Sequence, residues 1–99
     1  MMPHELVYSA TALADLEAIL NHVALDSPRQ ARRWVAAIER RCALLCEFPE
    51  LGVERPDVSP GLRIFPYRRA VIAYRIQMTR VRIVRVFYGG QDYSALMEV

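Results

Sequence analysis

The stretch Asp26-Ser27-Pro28-Arg29-Gln30 decides the fold, because it stands between two helical patterns and leaves room only for a reversal. Ser27 can offer its hydroxyl to an orphan N–H, and Pro28 suits the first helical position, where no N–H is missed. Gln30, three residues after Ser27, completes a capping box. Behind this joint, from Ala10 to about Leu25, Leu13, Leu16, Ile19, Leu20 and Val23 recur at three- and four-residue steps. That is the stripe of an amphipathic helix, with Asp15, Glu17, Asn21 and His22 largely off it. Ahead of it, Ala31, Trp34, Val35, Ile38, Cys42 and Leu45 mark a second helix running to about Phe48. Two helices joined so tightly fold back as an antiparallel hairpin. Both stripes then need a third surface.

The flanking chain supplies it. Residues 5–9 read as a short strand, after which Ser9 can cap the first helix. Residues 49–61 hold three prolines and two glycines and read as a stiffened loop. Beyond them Leu62–Pro66, Ala70–Ile76 and Val81–Tyr88 read as three strands joined by hairpins. The last is apolar on both faces except for Arg82 and Arg85, which predicts an interior strand. Gly89-Gly90 breaks it, and residues 92–97 are expected to form a short C-terminal helical turn. The expected fold is therefore α+β in the order β-α-α-β-β-β. The helical hairpin packs on one face of a mainly antiparallel sheet, in a single domain over residues 1–99.

Composition narrows the function. With 54% hydrophobic and 24% charged residues in 99, the chain is no disordered tail. No apolar run reaches membrane-spanning length, and the N-terminus lacks the basic head of a signal peptide, so a cytoplasmic protein is expected. All 13 basic side chains are Arg. Residues 1–50 carry five Arg against seven acids, and residues 51–99 carry eight against four. Between 62 and 88 there are seven Arg and no acid, a block suited to phosphate or an acidic partner. Cys42 and Cys46 share a helix face, but with only His4 and His22 to help they read as buried thiols rather than metal ligands. Neither a metal nor a cofactor is expected.

Several side chains have two readings. Tyr74 and Tyr88 fit half-buried sheet positions, and Trp34 fits a core anchor between helix and sheet. Arg63 and Arg85 can pair with helix carboxylates. Arg68 and Arg69, at a hairpin tip, cannot easily be buried, and a contact role is expected for them.

The segments also resemble a known family. They are Ser9-Ala10-Thr11-Ala12-Leu13-Ala14-Asp15-Leu16-Glu17, Phe48-Pro49-Glu50-Leu51-Gly52 and Pro60-Gly61-Leu62-Arg63. Val71-Ile72-Ala73-Tyr74-Arg75-Ile76 and Arg85-Val86-Phe87-Tyr88-Gly89-Gly90-Gln91-Asp92-Tyr93 complete the set. Together they are similar to the RelE/ParE superfamily of toxins from bacterial type II toxin–antitoxin systems. RelE-like members resemble ribosome-dependent messenger ribonucleases, which need clustered Arg with Tyr, His or Glu. The positions corresponding to that cluster read Val71, Gln91, Met97 and Tyr88 here, with His4 and His22 in other elements. The resemblance therefore implies the ParE-like branch, inhibitors of DNA gyrase that act by binding and carry no catalytic residues. The alternatives are a RelE-like endoribonuclease using Arg63, Arg85 and Tyr88, and a degenerate non-toxic member acting as a binding partner. The resemblance further implies a cognate, ParD-like antitoxin forming a hetero-oligomer with the chain, and operator DNA bound only through that antitoxin. Antitoxin contacts are expected at Arg63, Arg75, Arg85 and Trp34. Target contacts are expected at Tyr67, Arg68, Arg69, Gln91, Asp92 and Tyr93.

Overall fold

The computed structural model describes residues 3–89. Its elements run β1 (Glu5–Tyr8), α1 (Ala10–Ala24), α2 (Pro28–Glu47), β2 (Val53–Glu54), β3 (Arg63–Tyr67), β4 (Ala70–Gln77) and β5 (Arg80–Tyr88). The helix starts follow the capping chemistry. Ser9 Oγ accepts from the Ala12 N–H at 2.9 Å, and Ser27 Oγ accepts from the Gln30 N–H at 3.2 Å. The expected turn at 92–97, with Gln91, Asp92, Tyr93 and Met97, lies outside the described residues.

The strands form one sheet in the order β1-β5-β4-β3-β2. β1 runs parallel to β5, and the other neighbours are antiparallel. β5 is interior, as its two apolar faces required. Residues 49–61 correct the loop reading: Val53 and Glu54 pair with Ile64 and Arg63 as a fifth strand. Two residues carry no readable alternation, so only the neighbouring strand defines them.

A bulge between Ala73 and Tyr74 shifts the β4–β5 register, with Ala73 opposite Arg85 and Tyr74 opposite Ile83. Val84 is the extra residue, and β1 has ended by this point. α1 takes over the ladder's work there: Ser9 Oγ donates to the Val84 carbonyl at 2.8 Å, and Asp15 accepts from the Val86 N–H at 2.9 Å. Side chains thus satisfy the edge that β1 leaves open.

The main core lies between the hairpin and the sheet. It joins Leu16, Ile19, Ile38, Cys42 and Leu45 to Ile72, Tyr74, Val81, Ile83 and Val86. Alternation along the strands sends Leu62, Ile64, Ala73 and Phe87 to the other face, where Val58 and Val71 pack on them. Leu13, read in the α1 stripe, is 53% exposed. Tyr74 corrects a second reading, since it is fully buried rather than half-buried. Its hydroxyl donates to the Pro49 carbonyl at 2.6 Å and accepts from the Gly52 N–H at 2.8 Å, pinning the turn after α2 to the sheet. Burial raises its pKa above the ordinary tyrosine value. Cys42 and Cys46 are buried free thiols, and burial pushes Cys42 up to about 12.

Candidate binding groove

On α2, Gln30, Arg33, Trp34, Ala37 and Arg40 recur at helical spacing and form one wall of a groove of about 500 Å³. The other wall is the β3–β4 turn, Tyr67-Arg68-Arg69, with Tyr88 from β5 and Val23 from α1. The turn is held in place from β5, because the Arg69 carbonyl accepts from the Gly89 N–H at 2.8 Å. Arg68 sits at φ 55°, in the left-handed region.

The floor is aromatic. Trp34 stacks on Tyr67 with centroids 5.6 Å apart and meets Tyr88 edge-on at 6.0 Å. Guanidiniums cover the exposed ring faces: Arg41 lies 4.6 Å from the Tyr67 centroid, Arg68 5.6 Å from it, and Arg69 5.6 Å from that of Tyr88. The Trp34 Nε1–H is buried without a hydrogen-bond partner among the described residues. Trp34 is therefore a half-buried groove floor as well as a link to the core, which refines its reading as an anchor. Arg33, Arg40, Arg68 and Arg69 are exposed and form no ion pair with any described residue. No acid lines the groove.

The sheet arginines behave differently. Arg85 grips Asp15 of α1 with both arms, at 2.8 and 3.0 Å, and this bond raises its pKa. Arg63 pairs with Glu54 at 3.0 Å and donates to the Gly52 carbonyl at 2.8 Å, so its acid comes from β2 and not from a helix. Arg75 donates to the Pro60 carbonyl and, at 2.6 Å, to Ser59 Oγ. The three arginines expected at one docking surface thus engage three separate segments.

The ribonuclease set is only partly gathered: Arg85 and Tyr88 line one cleft, and Arg63 stands apart from it. Arg63 lies opposite Tyr74 and Tyr88 opposite Ala70. Four residues of β4 separate those positions, about 13 Å. Val71 packs on the far-face cluster. His22 is the residue sequence reading set aside: it meets Tyr88 edge-on at 6.1 Å and lines a cleft of about 290 Å³ with Asp15, Arg85 and Tyr88. Only the fold brings those four together, since the chain keeps His22 and Tyr88 far apart. His4 lines a separate cleft with Phe48, Leu51 and Ile76. Among the described residues no three metal-ligating side chains cluster, and no helix is long and apolar enough to cross a membrane.

A family model described as the ParE toxin of type II toxin–antitoxin system, parDE, matches residues 6–93. Toxin ParE3 of Caulobacter vibrioides is 37% identical over 51 residues, which span 52% of this chain and 51% of that relative. Among solved structures, a chain of the chromosomal ParDE toxin–antitoxin system from P. aeruginosa superposes with a TM-score of 0.75 at 27% identity. It covers 87% of this chain and 96% of its own. A chain of the RelBE2 toxin–antitoxin complex from Mycobacterium tuberculosis shares the fold, with a TM-score of 0.62 at 23% identity. The coverage is 88% of this chain and 99% of that one.

Proposed function

Since the chain belongs to the ParE toxin family of type II toxin–antitoxin systems, we propose that it inhibits DNA gyrase by binding and is neutralised by a cognate antitoxin. One observation carries the binding reading. Arg33, Arg40, Arg68 and Arg69, in no ion pair with a described acid, line an aromatic floor that holds no carboxylate, while Arg63 stands apart from the cleft that Arg85 and Tyr88 share. A surface of that kind recognises, whereas in the neighbouring cleft Arg85, beside His22 and Tyr88, is already held by the Asp15 carboxylate. Tyr67, Arg68 and Arg69 are the proposed target contacts. The antitoxin is proposed to meet Arg63, Arg75 and Arg85, its apolar side chains covering exposed Leu13, Phe48, Leu51 and Val53.

The test is a gyrase supercoiling assay with the purified chain, run beside a purified translation system. Supercoiling should fall with cleaved DNA accumulating, and messenger should stay intact. Specific messenger cuts that vanish in Tyr88→Phe, with supercoiling unaffected, would replace this reading with the ribonuclease one.

A further inference from the structure

The groove's arginines form two facing rows. On α2, Arg33 and Arg40 stand at i and i+7, within about 20° of one another around the helix and over about 10 Å of its axis. Arg68 and Arg69 face them from the turn. Four of the chain's thirteen arginines form ion pairs with described acids, namely Arg55, Arg63, Arg80 and Arg85, and none of these lines the groove. The accessible positive field therefore lies along α2 and the turn more than on the sheet.

Two chemistries could answer it, an acidic peptide or a phosphodiester backbone. A protein segment gains most of its affinity by burying apolar anchors. The groove offers few: Trp34, Tyr67 and Tyr88 already pack on one another, and the exposed large hydrophobics among the described residues, Leu13, Leu25, Phe48, Leu51, Val53 and Met78, all lie outside it. Ring faces that would stack unpaired bases carry Arg41, Arg68 and Arg69 instead. What stays available is the guanidiniums of Arg33, Arg40, Arg68 and Arg69, set along the two walls. That arrangement suits the repeating oxygens of a duplex backbone, read without base contacts.

We infer that the groove between α2 and the Tyr67-Arg68-Arg69 turn grips the phosphate backbone of duplex DNA directly, without the antitoxin. The choice of DNA over other phosphodiesters rests on the proposed gyrase reading, since that target presents duplex DNA. The contact itself is a property of this chain alone.

Fluorescence anisotropy of a labelled 30-base-pair duplex of mixed sequence tests it, with the purified chain and no gyrase. Each arginine that neutralises a phosphate contributes about −0.9 to the slope of log K against log salt. Four groove arginines should give a slope near about −3.6, with binding lost between low and physiological salt. Arg33→Gln/Arg40→Gln and Arg68→Gln/Arg69→Gln should each flatten the slope by about 1.8 and weaken binding at least tenfold. Arg80→Gln/Arg82→Gln, which removes the same charge elsewhere, should leave it nearly unchanged. Equal losses in all three pairs would reduce the effect to net charge and overturn the inference. So would tighter binding of single-stranded RNA, or displacement of the duplex by polyglutamate at matched charge. Groove-dependent duplex binding in a chain that leaves gyrase untouched would sink the gyrase reading and keep this one. Gyrase inhibition that survives both groove pairs, without duplex binding, would do the reverse.

Discussion

Asp15 Oδ2 accepts from Arg85 Nε at 2.8 Å and from the Val86 N–H at 2.9 Å, so one carboxylate joins α1 to β5 across 70 residues of sequence. The Asp15 side chain is 14% exposed and that of Arg85 24%, which places the pair between a surface bridge and a buried one. Asp15→Ala removes the carboxylate from both a guanidinium and a strand N–H and should cost about 2–3 kcal/mol in urea unfolding. Arg85→Ala leaves Asp15 its backbone partner and should cost about half as much. A double-mutant cycle giving no coupling between them would mean the bridge adds nothing beyond packing.

Gly52 lies against the ring of Tyr74, and a Cβ there would come within 2.6 Å of the ring carbon and the hydroxyl. The ring belongs to the packed core and cannot swing aside. Gly52→Ala should therefore destabilise by about 1–3 kcal/mol. Tyr74→Phe keeps the packing but abandons the Pro49 carbonyl and the Gly52 N–H, at a similar cost. Denaturant midpoints for the two variants decide the point, and unchanged values would show that the turn after α2 relaxes freely.

The Cys42 thiol, pushed up to about 12 by burial, predicts an alkaline weakness. Its folded pKa exceeds the unfolded one, so the associated stability is complete below pH 9 and is lost as pH rises toward 12. In that window the unfolded chain binds fewer protons, and stability falls by on the order of 1 kcal/mol per pH unit. Tyr8, raised by burial and by the neighbouring Cys42, steepens the fall above pH 10. Cys42→Ala should flatten the slope between pH 9 and 10 in chemical denaturation. An identical slope would assign the loss to other groups.

Local chemistry made most of this architecture readable, and long-range placement hid most of the groove. Ser9, Ser27 and Pro28 announced the helix starts, and the strand limits shifted by a residue or two because ladder ends depend on a partner. β2 escaped because two residues among prolines and glycines carry no period. Arg63, which sequence left open to a helix acid, pairs instead with Glu54, its neighbour across a strand pair that carries no period. Trp34 and Tyr67-Arg68-Arg69 were assigned to different partners, yet they stack into one site. Sequence spacing says which residues share a face of their own element, and it is silent on which elements meet.

Arg68 and Met78 are the described non-glycine residues with positive φ, both at 55°. Each takes the first position of a two-residue hairpin, where glycine is favoured. Relief of the left-handed conformation should make Arg68→Gly and Met78→Gly each more stable by about 1 kcal/mol. Only the first should lose growth inhibition at equal expression, because Arg68 lines the groove and Met78 stands alone in solvent. Full growth arrest by a stabilised Arg68→Gly chain would remove that guanidinium from the proposed target contact.

The parallel pairing of β1 with β5 also sets a clock. Glu5–Tyr8 must wait for Arg80–Ile83, and the Ser9–Val84 bond spans 75 residues. At roughly 5–20 residues per second, the ribosome takes several seconds to deliver the partner strand after the first one emerges. Throughout that interval the helical hairpin has no finished sheet to cover, and Tyr88 has not yet closed the groove. Pairings this distant in sequence fold slowly once the chain is present. A nascent or prematurely terminated chain therefore lacks the finished sheet and the complete groove, which form only with the last strand.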